Sequence, residues 1–298
     1  MKLNAECMLC LLKRHIATAE SVGTEEQVTA FARDLMDVMV RGPEEQSAPW
    51  YTPEITRLFT AHFGLSDDRY REEKESSNRF FLEREGHIRC MITESEDPLY
   101  AGLQCAILGN YIDFSALQGE VSFEKLDQML SLARNFRVDG EVFAALRRDL
   151  ETGTELLYLT DNAGEIGFDK LWLETIHGLY PNLSITVCVR GGPTQNDATV
   201  EDAAVVGMPF PVIGNGNRIP GTVLSEASEE LNAALRRASL VIAKGQANVE
   251  TLLDTGHGYN IYYAFLVKCS RFIRRFGREK LTPMLLHESG ARTGSSSL

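Results

Sequence analysis

The second half of the chain constrains the fold most strongly, because from Gly153 onward apolar runs of strand length alternate with helical segments. The first run, Leu156-Leu157-Tyr158-Leu159-Thr160, stops abruptly on Asp161-Asn162-Ala163-Gly164-Glu165. Such a run ending in Asx-Gly punctuation reads as a buried strand entering a loop. Strands are expected near 155–160, 184–190, 210–213, 239–243 and 259–266, with helices near 166–178, 199–206, 223–237 and 247–253. This alternation predicts an α/β unit with a mostly parallel sheet covered on both faces. Ligands of open α/β sheets sit at the carboxyl ends of the strands, which is where Asp161 and Asn162 fall. A carboxylate beside an amide oxygen suits a hard cation such as Mg²⁺ or Mn²⁺.

The first half reads as helical, with apolar residues at helical spacing over 7–21, 25–40, 123–132 and 140–150. Asp97-Pro98 looks like a helix start, with Leu99, Leu103, Ala106, Ile107 and Leu108 on its buried side. The charged stretch 67–85 is expected to be a solvent-facing helix. No Pro/Gly/Ser-rich spacer separates the halves, so the division expected is a helical lobe at 1–150 and an α/β metal-binding catalytic lobe at 151–287. The stretch 288–298 is low in apolar residues and is expected to be a mobile tail.

Composition narrows the function. A formal net charge of −12 argues against nucleic acid as a partner, although a bound metal or a few local cations can still invert the field at a site. The chain has no apolar stretch of membrane-spanning length and no apolar signal-peptide core at its start, which points to the cytoplasm. There the six cysteines would be free thiols or metal ligands.

Three strand-end segments would converge on one edge of a parallel sheet. Beside Asp161-Asn162-Ala163-Gly164-Glu165 these are Arg190-Gly191-Gly192-Pro193 with Asn196-Asp197-Ala198-Thr199, and Lys244-Gly245-Gln246-Ala247-Asn248-Val249-Glu250. Small residues let the backbone approach a ligand, and each segment sets a hard ligand or a cation beside them. A divalent ion on Asp161, Asn162 and Asp197 would keep positions open for water and a phosphoryl oxygen, and Lys244 would offset charge on the transferring group. Plainer readings stand beside these. Asp161 and Asp197 each fit a helix cap or turn, Arg190 a structural salt bridge, and Glu165 and Glu250 helix capping. Cys7 and Cys10 share one helix face at a spacing compatible with metal or thiol chemistry, but two thiols do not complete a zinc site.

Taken in order, the three segments resemble the motifs of the metal-dependent damage-control phosphatases, once listed as domain of unknown function 89. Gly109-Asn110-Tyr111-Ile112-Asp113-Phe114 and Cys7-Met8-Leu9-Cys10 resemble that family's prokaryotic cysteine-bearing branch. The resemblance implies a helical lobe packed on a Rossmann-like α/β/α lobe, with one divalent cation (Mg, Mn, Co or Ni) at the sheet's carboxyl edge. It implies that Asp161, Asn162 and Asp197 hold the metal and that Lys244 contacts phosphate; in the mechanism expected from these residues, Asp161 or a neighbouring carboxylate takes the water's proton and Lys244 steadies the developing charge, which makes Asp161 and Lys244 the catalytic candidates. Asn110, Asp113, Arg190, Gly191, Gly192, Asn196, Gly245 and Asn248 are the substrate-side candidates. The implied substrates are small phosphate monoesters, either sugar phosphates or damaged and surplus phosphometabolites. The Arg-Thr-x-Lys signature of the eukaryotic branch is absent, since Arg292-Thr293-Gly294-Ser295 lacks the lysine.

Other enzyme classes fit less well. A haloacid-dehalogenase-type phosphatase would want a second Asp where Ala163 stands, a nucleotide-driven enzyme a Walker loop, and an α/β-hydrolase Gly-x-Ser-x-Gly. Two alternatives stay open at the level of sequence. One is an S-adenosylmethionine-dependent carboxyl methyltransferase using the acidic Gly-containing loop; the other is a non-catalytic metal or phosphometabolite binder.

Overall fold

A computed structural model of the chain describes residues 1–113 and 121–289, with the side chains of residues 67 and 68 outside the description. Among the described residues there are twelve α-helices and one six-stranded sheet of order β3-β2-β1-β4-β5-β6. The strands are β1 (Glu155–Leu159), β2 (Ser184–Val189), β3 (Val212–Gly214), β4 (Leu240–Lys244), β5 (Ile261–Leu266) and β6 (Pro283–Glu288). The first five run parallel and β6 is antiparallel to β5. The mostly parallel α/β architecture expected from the alternation is therefore the one observed. Because the chain winds outward from β1 in both directions, the topological switch point lies between β1 and β4.

Side-chain parity divides the sheet into two faces. Leu240, Ile242, Tyr262 and Ala264 enter the larger core, formed with α4 (Arg71–Thr93), α5 (Pro98–Gly109), α6 (Phe123–Ser131), α7 (Gly140–Thr152) and α8 (Glu165–Leu179). The alternate residues Val241, Ala243, Ile261 and Tyr263 enter the opposite core, under α10 (Glu229–Arg237), α11 (Gly245–Leu252) and α12 (Ser270–Phe276). The remaining α/β helix, α9 (Val200–Val205), joins β2 to β3. The three N-terminal helices α1 (Ala5–Glu20), α2 (Glu25–Arg41) and α3 (Thr52–Phe63) keep a small core of their own around Phe31, Leu35, Ile55 and Phe59.

Several elements differ from the sequence expectation for definite reasons. The charged helix at 67–85 proves to be α4, displaced to Arg71–Thr93. It is not merely solvent-facing, since Ser77, Phe80, Phe81, Ile88 and Ile92 form a buried stripe. The segment expected as one helix at 223–237 holds a short 3-10 turn at Leu224–Glu226, and α10 starts only after the Ser228 cap accepts from Leu231 N. Helices α3 and α12 and the edge strand β6 are not among the elements expected from the sequence, although α3 buries Ile55, Leu58 and Phe59 at helical spacing. Glu288, expected to begin a tail, is the last residue of β6; residues 290–298 and Phe114 lie outside the described residues.

Candidate functional site

The strand ends at the switch point are built around the buried carboxylate of Asp161. Its Oδ2 accepts N–H bonds from Asn110 Nδ2 and Asn162 Nδ2, both at 3.0 Å. Asn110 follows the last turn of α5 and its Oδ1 accepts from Leu266 N at 3.1 Å, so this amide ties the helical layer to β5 and Asp161 at once. Gly245, at φ +76, begins α11 in contact with Asp161, and a Cβ there would collide with the carboxylate. Only glycine meets both demands. Asn162 pairs with Asp197 in an isolated antiparallel bridge, and its Oδ1 accepts from Asn196 Nδ2 at 2.9 Å. Asp161, Asn162, Asn196 and Asp197 are thus brought together.

Arg190 is 1% exposed and packed against the carboxylates of the site, with its Nη1 buried and without a hydrogen-bond partner among the described residues. Its Nε donates to Asp197 Oδ2 at 2.6 Å and its Nη2 to Thr160 O at 3.1 Å, with Asp161 Oδ1 at 3.8 Å. Gly191 N is taken by Asn215 Oδ1 at 2.8 Å, and Gly192 packs beside Arg218. Asn248 is fully buried and staples Thr160 O and Lys244 O together while accepting from Thr222 Oγ1. These residues hold the strand ends in register, and none of the four lines the cavity described below.

Lys244 departs furthest from expectation. It is 0% exposed and its ammonium donates to Glu165 Oε1 at 2.7 Å, Asp169 Oδ1 at 2.6 Å and Ala106 O at 2.9 Å. Parity explains the direction, since Leu240, Ile242 and Lys244 share the face covered by α5 and α8. Burial pulls the ammonium pKa down, but Asp169 and Glu165 outweigh it and hold the group above its ordinary value. Asp169, which also accepts from Tyr158 OH at 2.7 Å, is pushed by burial to about 7 against the pull of Lys244.

A cavity of about 400 Å³ opens beside Asp161, between α1 and the start of α12. Its floor carries Asp161, Asp113 and Lys268, and Lys268 Nζ donates to Asp113 Oδ2 at 2.6 Å. Gln246 Oε1 accepts from Lys268 N at 3.1 Å and fixes that backbone. Sequence reasoning passed over Lys268 and Gln246. Lys268 lies two residues beyond the end of β5, the same kind of strand-end placement that drew attention to Lys244. Gln195 also lines the cavity, at φ +47, a conformation disfavoured for a residue with a side chain.

The electrostatics of the floor bear on the implied metal. Burial, reinforced by the Glu165 and Asp197 carboxylates, raises Asp161 well above the ordinary range. Burial likewise lifts Asp197 to about 6 although Arg190 opposes it. Buried acids raised this way mark a locus short of positive charge, and the oxygen donors present suit a hard divalent cation. Asn196 Oδ1 is a further buried oxygen without a hydrogen-bond partner among the described residues. No three His, Cys, Asp or Glu side chains among the described residues close on one point, so an ion held here would use amide or water oxygen as well as carboxylate. The residues fit the group.

Known proteins match this chain along nearly its whole length. The family model described as the damage-control phosphatase ARMT1-like domain matches residues 3–282. A protein of Archaeoglobus fulgidus named damage-control phosphatase is 29% identical over 283 residues, covering 93% of this chain and 96% of the relative. A damage-control phosphatase of Pyrococcus horikoshii is 28% identical over 278 residues, covering 92% and 94%. A crystal structure described as a DUF89 family protein of Pyrococcus horikoshii superposes with a TM-score of 0.80 at 25% identity, covering 96% of this chain and 99% of that one.

Proposed function

Because the chain belongs to the damage-control phosphatase ARMT1-like family, we propose that it is a divalent-metal-dependent hydrolase of small phosphate monoesters, working on the cavity floor. The names of its relatives support a phosphatase role. The observation that carries the finer reading is that Asp161, Asp113 and Lys268 share one cavity of small-metabolite size. A hard-cation ligand, a second carboxylate and an ammonium are what phosphoryl transfer to water requires.

Asp161, Asn162 and Asp197 would hold the ion, which supplies a Lewis acid for the phosphoryl oxygen and a more acidic water. Asn110 and Asn162 fix one oxygen of Asp161 by their amide N–H groups, and Arg190 fixes Asp197. Asp161 and Asp113 are the carboxylates facing the cavity floor, so the proton of the attacking water passes to one of them. Lys268 contacts the phosphoryl oxygens and offsets the charge that develops there. Lys244 is a positioning residue in this account, holding Glu165 and Asp169 so that Glu165 in turn accepts from the Asn110 and Asn162 amides.

Most of the machinery comes from the α/β part at 151–287, with Asn110 and Asp113 supplied by the helical part at 1–150. The methyltransferase reading gains nothing here, because the 161–165 loop is packed under α4, with Gly164 N donating to Asn78 Oδ1 at 2.7 Å. Among the described residues no helix is long and apolar enough to cross a membrane. The partner proposed is a small phosphorylated metabolite, and the free thiols suit a reducing compartment such as the cytoplasm.

The test is phosphate release from an aryl phosphate and a panel of sugar phosphates, after chelation and then with Mg²⁺, Mn²⁺, Co²⁺ or Ni²⁺ restored. Release that returns only with metal is the expected result. Folded protein that releases no phosphate with any of these ions would overturn the reading.

A further inference from the structure

The turn that presents Asp197 to the site also presents Gln195 to the cavity. Thr194-Gln195-Asn196-Asp197 is closed by Asp197 N donating to Thr194 O at 3.1 Å. The residues after Gln195 are fixed. Asn196 O accepts from Ala163 N at 2.9 Å, Asn196 Nδ2 donates to Asn162 Oδ1 at 2.9 Å, and Asp197 is held by Arg190. Gln195 itself sits at φ +47, where a residue with a side chain is disfavoured and glycine is not.

Gln195 is 8% exposed, and its side-chain amide makes no hydrogen bond among the described residues. Thr52, the first residue of α3, repeats the situation on another part of the fold. It is 5% exposed in the same lining, and its hydroxyl makes no hydrogen bond among the described residues. Neither polar group is sealed inside the protein, so both open onto the cavity. Polar groups withdrawn from bulk water without a protein partner are costly until a ligand supplies one.

Beyond the floor, the charged side chains of the lining are already engaged. Glu6 pairs with Arg274, Glu250 faces the charges of Arg271 and Arg14, and Lys280 has a partner of its own. The groups held open are therefore neutral ones, each able to donate and to accept. A substrate hydroxyl, which also does both, is their natural complement.

Resting on the phosphatase reading, we infer that Gln195 is a specificity-determining contact for a hydroxylated substrate. Its amide meets a hydroxyl on the carbon chain close to the phosphoester, and Thr52 meets a second hydroxyl from the side of the N-terminal helices. Placement sets Gln195 near the ester, since it lies two residues before Asp197 on a turn tied to the metal-site strand ends. The ligand class is a phosphate monoester of a polyol or sugar skeleton, as opposed to one of a bare hydrocarbon chain. A site built to hydrogen-bond a hydroxyl rejects the analogue lacking it, because the protein's own polar groups are then left buried and unpaired.

The experiment pairs two probes that share a three-carbon skeleton, propyl phosphate and glycerol 1-phosphate. kcat/KM is measured with the metal-loaded wild-type protein and with Q195L and T52V, which remove the polar group at similar volume, after circular dichroism has established the fold. The expected result is a wild-type preference of about tenfold or more for glycerol 1-phosphate, falling to about threefold or less in Q195L and by a smaller factor in T52V. Should Q195L not fold, Q195G repeats the test, because glycine accepts φ +47 and lacks the amide. Equal wild-type rates on the two probes would overturn the inference. So would a Gln195 variant that keeps the wild-type preference, or one that loses the same factor on both probes, as a contact to the phosphoryl group or a role in holding the turn would give. A T52V protein with the wild-type preference would strike the second contact. If neither probe is hydrolysed with any metal, the phosphatase reading fails separately. Gln195 is then read by thermal shift, as stabilisation by glycerol 1-phosphate over propyl phosphate that the Gln195 variant lacks; no such difference would overturn the assignment as well.

Discussion

Two lysines at neighbouring strand ends are equally buried and differently placed. Lys244 ends β4 inside a closed network with Glu165, Asp169 and Tyr158, whereas Lys268 stands beyond β5 in the lining of the cavity, paired with Asp113. Register accounts for the difference. Lys244 is paired with Ala264, so Lys268 lies four residues further toward the carboxyl edge, the last two of them beyond the end of β5. Asp161 touches Gly245, one step beyond Lys244. The closed network therefore lies a layer beneath the metal-ligand candidates and the open cavity adjoins them. A strand-end lysine is a poor guide to chemistry until the level of its strand is known.

The contrast predicts mirror-image responses to substitution. The largest effect is expected for Asp161→Asn, which should cut kcat/KM by about 10³-fold or more while metal-free stability holds or rises, because it removes a buried charge among carboxylates. Retained turnover in a folded D161N protein would remove Asp161 from the metal site. On the closed side, Lys244→Met should cost about 3–5 kcal/mol by stranding two buried carboxylates, read as a lower denaturant midpoint. An unchanged midpoint would mean that the network is not the structural anchor described here. Tyr158→Phe, which removes only the donation to Asp169, should cost about 1 kcal/mol and leave KM unaltered.

The smallest effect concerns the roof of the open side. Burial, with Arg14 and Arg69 nearby, holds His15 of α1 well below its usual pKa, and its ring packs edge-on to Phe59 at 5.8 Å. A histidine kept neutral in the fold contributes stability above its unfolded pKa of about 6.5. That stability declines as pH falls from there toward the folded pKa, at up to about 1.4 kcal/mol per pH unit, because only the unfolded chain takes up the proton. Protection factors in α1–α3, taken from hydrogen exchange corrected for its intrinsic pH dependence, should therefore fall below about pH 6.5, and His15→Phe should flatten the dependence. Equal pH sensitivity in both proteins would assign it elsewhere.

Local pattern carried much of this architecture. Apolar runs bounded by Asx and Gly located five strands, and their carboxyl ends led to Asp161, Asn162 and Asp197, which the fold brings together. Inter-strand register and side-chain parity were the missing information, because both are set by long-range pairing. For that reason the buried partners of Lys244, Arg190 and Asn248 could not be read from the sequence, and only the fold supplies them. Lys268, Arg14 and Arg271 stood in segments with no motif texture, and only the closure of α1 over α12 places them around one cavity. Edge strand β6 was missed because Pro283 and His287 interrupt any regular alternation.

The central claim, that the open side rather than the closed side meets the phosphoryl group, is tested most directly by kcat/KM and denaturant midpoint for Lys268→Met beside Lys244→Met under metal-saturated conditions. The account predicts that K268M loses about 10²–10³-fold in kcat/KM with the smaller loss of stability. K244M should show the larger loss of stability, with a turnover defect that eases at temperatures where it is fully folded. A K268M protein that keeps wild-type turnover, beside a fully folded K244M protein that has lost it, would contradict the account.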